Sequence, residues 1–203
     1  NRNNSALFSS IPPSRPKVEG TGIITQLKAR KNDAEIANIR KTMIQDGQAM
    51  VRFLKWLEGS VPDGQVTELS AAEKLSEIRA QNKEFQGESF STISGYGPHG
   101  AIVHYTVTPD SDIPLESKGI YLVDSGGQYP TGTTDITRTV ALGDVSEQVK
   151  MDYTLVLKGH IAVAKAIFPE GTRGVHIDPL ARRPLWEENL NYGHGTGHGV
   201  GYF

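Results

Sequence analysis

The sequence predicts an α+β fold built on an antiparallel sheet. Two long stretches, one in each half of the chain, carry apolar residues at helical spacing. Between them lie short apolar runs broken by glycine, proline and aspartate, the pattern of strands joined by tight turns. Strands joined so closely must run antiparallel, since a parallel pair needs a crossover of a dozen residues or more. No stretch repeats at a fixed period.

Residues 1–20, with Pro12, Pro13, Pro16 and clustered serine and asparagine, read as a linker or interdomain segment, and 21–203 as one partial domain. Ile23 to Ala29 reads as a short extended stretch. A helix is expected from about Asp33, capped by Asn32 or Asp33. Ile36, Ile39, Met43, Met50, Phe53, Leu54 and Leu57 form its apolar stripe, and Gly59 ends it. A second helix should start at Thr67, whose hydroxyl can cap it, and run through Leu75 and Ile78. Strands are expected over 90–94, 101–105, 119–125 and 133–142. Helical spacing returns over 145–168, closed by Pro169 and Gly171, and a short helix should cover Pro179 to Trp186.

Bulk properties exclude several classes. A net charge of -2 and the lack of a basic stripe with interleaved aromatics argue against a nucleic-acid partner. No apolar run approaches the roughly 20 residues of a membrane span, and no signal peptide opens the chain, so the cytoplasm is expected. With no cysteine, disulfides and thiolate sites are excluded, and any metal must sit among carboxylates and imidazoles. That donor set favours manganese, cobalt or zinc. Neither G-x-G-x-x-G nor G-x-S-x-G occurs.

Chemistry concentrates at four places. Asp124 ends the apolar run Ile120-Tyr-Leu-Val, and Asp135 follows a turn-rich stretch. A hairpin centred at 129/130 would set the two carboxylates opposite each other, with β-carbons roughly 5 Å apart, a repulsive arrangement unless a cation lies between them. Both could instead be turn residues bonding nearby amides. His104 closes the run Ala-Ile-Val and reads equally as a functional or a core histidine. From 193 to 201 glycine alternates with His194, Thr196, His198 and Val200. Five glycines oppose a helix, and on an extended chain His194 and His198 stand roughly 13 Å apart, so at most one would bind a given ion.

Taken together, Asp124-Ser-Gly-Gly-Gln-Tyr, Gly-Thr-Thr-Asp135-Ile-Thr-Arg-Thr139, Val156-Leu-Lys-Gly-His-Ile-Ala162 and His194-Gly-Thr-Gly-His-Gly-Val-Gly201 resemble the catalytic domain of the Xaa-Pro aminopeptidases, in the cytosolic-type branch of the pita-bread metallopeptidases. Lys28-Ala-Arg-Lys-Asn32, Gly97-Pro-His-Gly-Ala-Ile-Val-His-Tyr105 and Asp178-Pro-Leu-Ala-Arg182 support the likeness, which covers about 23–203. The resemblance implies a curved pita-bread sheet and two divalent ions, most often manganese. They would be held by Asp124, which chelates one, Asp135, which bridges both, and His198, which binds the other. It implies that His104 stabilises the reacting peptide and that His194 lines a proline pocket. Water activated between the ions would then release an N-terminal residue that precedes proline. The implied partners are peptides with proline second, and a homodimer is compatible.

In that family two glutamate ligands and a further histidine follow the glycine-rich motif, whereas this chain ends on Tyr202-Phe203. The 203 residues alone are therefore expected to bind manganese poorly, to lack activity and to leave an apolar edge near Tyr202 and Phe203. Alternatives are a prolidase, another aminopeptidase of the fold, or a peptide-binding pseudoenzyme.

Overall fold

The computed structural model describes residues 4–17, 20 and 22–202. Phe203, part of the expected apolar edge, lies outside the described residues. The chain forms two compact units, Asn1–Ala37 and Asn38–Phe203.

The first unit carries helices α1 (Ser5–Ser10) and α2 (Ile23–Ala29). The extended reading of 23–29 is therefore corrected. Among the described residues of this unit no strand is available to pair with the segment, whereas a helix satisfies its amides internally. Helix α3 (Asp33–Ser60) begins as its sequence predicts. The Asn32 side chain accepts from the Glu35 amide at 2.9 Å, and Glu35 returns a bond to the Asn32 amide at 2.8 Å. Its buried stripe is Thr42, Asp46, Ala49, Met50, Phe53 and Leu57, two polar residues followed by an apolar run.

Helix α4 (Glu68–Ala80) is capped by Thr67, paired reciprocally with Ser70. It packs with α3 around Phe53, Leu57, Leu75 and Ile78, and against this layer lie Tyr121 and Val123 of the sheet. That sheet has strand order β2 (Ile93–Tyr96), β3 (Ile120–Ser125), β6 (Ile136–Ala141), all antiparallel. A second small sheet joins β1 (Gly87–Glu88), β4 (Gly127–Tyr129) and β5 (Gly132–Thr133). Along β3 burial alternates strictly. Tyr121, Val123 and Ser125 enter the core, so Ile120, Leu122 and Asp124 share the opposite face.

Three strand expectations change. The run at 90–94 becomes β2, displaced toward 96. The run at 101–105 is not a strand: Gly97, with φ of 53°, opens a short 3-10 turn through Ala101, and His104 follows in a turn. The predicted strand 133–142 breaks at Thr134–Asp135, because Thr134 turns into the core.

Helix α5 (Glu147–Ala164), capped by Ser146, packs against α6 (Gly174–Trp186). Their crossing is close at Gly159, where a β-carbon would stand 2.1 Å from the Ala181 carbonyl oxygen. Elsewhere on α5, Tyr153, Val156, Leu157 and Ile161 are exposed, and Tyr202 is also exposed. No described helix is long and apolar enough to cross a membrane.

Candidate metal centre

The β3–β6 hairpin sets the position of both aspartates. Its register pairs Asp124 with Thr137 and Gln128 with Thr133, so the turn centres on 130/131 rather than 129/130. Asp135 is therefore two residues past direct opposition, a diagonal neighbour of Asp124 on the same face. The difference matters little to the chemistry. Burial first, and then the charge of Asp124, raise the Asp135 carboxyl above its ordinary range, while His198 opposes the shift. Asp124 Oδ1 is buried with no hydrogen-bond partner among the described residues. A bare buried carboxylate oxygen beside a second carboxylate is costly unless a proton or a cation lies between them.

What holds Asp135 there is a buried network that sequence reasoning missed. Asp46 of α3 receives Arg79 Nε at 2.8 Å and Nη2 at 3.1 Å, the Tyr129 hydroxyl at 2.7 Å and the Thr134 hydroxyl at 2.8 Å. Thr134 Oγ1 in turn accepts from the Gly127 amide at 2.9 Å. The residue before Asp135 is thus bonded into the core from two directions. Gly126 allows the close approach, since a β-carbon there would meet the Thr134 carbonyl oxygen at 1.9 Å. The available signal was an acidic residue, Asp46, inside the buried stripe of α3, where a charge needs a partner.

His198 reaches the pair from the glycine-rich segment. Its Nε2 lies 3.4 Å from Asp135 Oδ2, and its Nδ1 lies 3.0 Å from the Gly199 carbonyl oxygen. A carbonyl only accepts, so Nδ1 carries the hydrogen of that bond and Nε2 is left facing the aspartates, the ring nitrogen a metal would take. His194 stands apart from this group. Its Nδ1 bonds the Gly195 carbonyl at 2.8 Å, and its ring lies 4.7 Å from that of Tyr192.

His104 is exposed in the turn after the 3-10 segment. That segment covers the Asp124 face of β3, where a β-carbon at Gly100 would lie 3.4 Å from Leu122 Cβ. It is moored by Glu68, buried at the start of α4, which receives the Tyr96 amide at 2.6 Å, the Tyr105 hydroxyl at 2.8 Å and His99 Nδ1 at 2.9 Å. These bonds explain why 97–105 leaves the sheet.

The donor set of two carboxylates and an imidazole suits a hard or borderline divalent cation, and the orphaned Asp124 oxygen gives it a place to bind. Yet among the described residues no three His, Cys, Asp or Glu side chains form a group that could hold a metal ion. The three donors are adjacent without enclosing one point.

The sequence profile of metallopeptidase family M24 matches residues 37–202. The chain belongs to that family. A probable Xaa-Pro aminopeptidase P of Laccaria bicolor is 48% identical to this M24 chain over 181 residues, 89% of the chain and 28% of that protein. One from Trichophyton verrucosum is 45% identical over 205 residues, covering all of this chain and 29% of the relative. Among solved structures, the X-prolyl aminopeptidase of Caenorhabditis elegans, described as a cytosolic enzyme with a di-nuclear active site, superposes with a TM-score of 0.86 at 40% identity. That match covers 90% of this M24 chain and 30% of the nematode protein. An Xaa-Pro dipeptidase from Bacillus anthracis superposes with a TM-score of 0.78 at 26% identity, over 90% of this chain and 49% of its own. The expected α+β pita-bread architecture is the one this M24 chain has, and it spans about 30% of the length of its aminopeptidase relatives.

Proposed function

We propose that this chain forms part of a metal-dependent aminopeptidase that removes the N-terminal residue from peptides with proline in second position. The observation that carries the reading is the approach of the His198 imidazole to Asp135, beside an Asp124 oxygen that is buried without a partner. Asp124 would hold one divalent ion, Asp135 would bridge two, and His198 would bind the second, with manganese first in order and cobalt or zinc as substitutes. When bound, such ions supply Lewis acidity toward a peptide carbonyl and lower the pKa of water at neutral pH.

The protein's own groups do the remaining work. The Asp46 network fixes the backbone at Thr134 and so keeps Asp135 aimed at Asp124. Nδ1–H of His198, committed to the Gly199 carbonyl, keeps the ring from flipping and leaves Nε2 facing Asp135. His104, in the turn that follows the segment overlying the Asp124 face, would donate a hydrogen bond to the reacting peptide. His194, beside Tyr192, would contribute an aromatic wall to the pocket for proline. The cytosolic description of the nematode relative supports a cytoplasmic location.

A protein of the relatives' full length that carries these residues should release the first residue of a Xaa-Pro tripeptide. Chelation, Asp135→Asn or His198→Ala should each abolish that activity. Hydrolysis that survives both chelation and Asp135→Asn would sink the proposal. The likeness to a Xaa-Pro dipeptidase favours one second reading, a prolidase. Cleavage of Xaa-Pro dipeptides with tripeptides left intact would select it.

A further inference from the structure

Asp124 lies within β3 and Asp135 follows a threonine bonded into the core, but the segment that brings His198 to them has no such frame. Residues 193–199 are exposed and belong to no strand, and a β-carbon at any of Gly193, Gly195, Gly197 or Gly199 would meet nothing within 4 Å. Five glycines in nine residues carry a large conformational entropy, so an unpaired segment of this composition holds no fixed shape unless something outside it does. Two attachments are present. Beyond His198, the Gly201 carbonyl accepts from the Thr133 amide at 3.3 Å, and the Tyr202 hydroxyl donates to the Pro130 carbonyl. Before His198, almost every bond converges on one side chain of α6.

That side chain is Arg182. Its Nη1 donates to the Asn191 side-chain oxygen at 3.1 Å and to the Tyr192 carbonyl at 2.7 Å, and its Nη2 donates to the His194 carbonyl at 2.8 Å. Its Nε bonds Asp178 Oδ2 at 2.7 Å, one helical turn earlier, and the Tyr192 ring lies over the guanidinium at 4.0 Å. The other Asp178 oxygen accepts from the Thr196 hydroxyl, which also bonds the Tyr192 hydroxyl at 2.6 Å. One planar group thus fixes two backbone carbonyls of the segment directly and, through Asp178, a third point at Thr196, two residues short of His198. Only a guanidinium presents five donors in a rigid plane, so lysine cannot reproduce the set.

We infer that Arg182, with Asp178, is the positioning residue of the glycine-rich segment, and that it places the His198 imidazole against Asp135. The inference rests on the reading of His198 as a metal ligand. Arg182 makes no contact with the aspartates itself; it acts through the segment. The close α5–α6 crossing at Gly159 belongs to the same device, because Ala181, whose backbone meets Gly159, immediately precedes Arg182.

The test uses the 203-residue chain, NMR and manganous ion, whose paramagnetic broadening reports even weak binding. In the wild type, added Mn²⁺ should broaden the His198 ring together with the amides of Asp124 and Asp135. In Arg182→Met the aspartate broadening should persist while that of His198 is lost. Amide exchange over 193–199 should accelerate by about tenfold or more, with β3 and β6 unchanged. Arg182→Lys should recover part of the effect. Thr196→Val, which removes only the link to Asp178 and leaves Arg182 in place, should give a smaller loss in the same direction. Unchanged His198 broadening in Arg182→Met and Thr196→Val would overturn the inference. So would loss of broadening at all three residues with faster exchange in β3 and β6, since Arg182 would then support the fold at large. If Mn²⁺ broadens none of the three in the wild type, the exchange readout decides by itself, and unchanged exchange over 193–199 in Arg182→Met overturns the inference.

Discussion

The two halves of the candidate centre are built in opposite ways. Asp124 and Asp135 hang from a hairpin tied into the core, and the Asp46 carboxylate beneath them collects four hydrogen bonds with no exposure to water. His198 arrives on an exposed segment attached at its two ends. A buried anchor costs stability to assemble and holds its geometry without help. A surface clamp costs little and leaves its cargo able to move. The carboxylate half is therefore set by folding itself, and the imidazole half is set separately.

Breaking the buried half should produce the largest effect. Arg79→Met leaves the Asp46 charge uncompensated in the core, and a broken buried pair costs about 3–5 kcal/mol. Urea unfolding should show that loss, and a change below about 1 kcal/mol would mean that Asp46 finds water or other donors. Asp46→Ala should be comparably damaging, since it strands the guanidinium instead.

Gly159→Ala attacks the support of the other half. The added methyl would sit 2.1 Å from a backbone oxygen, so α6 must move away from α5, an overpacking cost of about 1–3 kcal/mol. Exchange at the amides of 193–199 should rise with it, because the helix that carries Arg182 is displaced. If the thermal midpoint falls while that exchange does not, the two helices can part without disturbing the clamp.

Much of this was legible in the sequence. Caps at Asn32 and Thr67 act through contacts of a few residues, and the structure keeps both. The shared face of Asp124 and Asp135 follows from strand alternation, which survives an error of two in register. The segment 101–105 was misread because Ala-Ile-Val has the composition of a strand, while the bonds that pull it off the sheet come from Glu68, more than thirty residues earlier. Asp46 and Arg79 were missed for the same reason: their meaning lies in a partner far along the chain. Helix Gly174–Trp186 starts earlier than the motif at Pro179 suggested, and it carries Pro179 and Pro184 in its interior, where proline ordinarily opposes a helix.

The carboxylate half can be sharpened through pH. The folded-state pKa of Asp135 is raised above its ordinary 3.8, first by burial and then by Asp124. Between that value and the raised one the folded state binds more protons than the unfolded chain, so this group's contribution to stability falls as pH rises through the window. Asp135→Asn removes the contribution. In the presence of chelator, the difference in unfolding free energy between variant and wild type should therefore shift in favour of the variant from the acid side of the window to neutral pH. Asp178 and Glu84, whose carboxyls are lowered by their hydrogen bonds, act in the opposite sense but cancel in that difference. A pH-independent difference would mean that neither burial nor Asp124 raises this carboxyl.

The smallest effect belongs to His104. It is exposed in its turn, while the bonds that moor the segment run through His99, Tyr96 and Tyr105 to Glu68. His104→Ala should therefore change stability by less than about 0.5 kcal/mol. Glu68→Gln should cost more, because it weakens a buried acceptor of three donors without touching His104. In a catalytically competent protein the order should invert, with His104→Ala lowering kcat while leaving the thermal midpoint in place. A His104→Ala variant as unstable as Glu68→Gln would assign this histidine to the mooring and remove it from the chemistry.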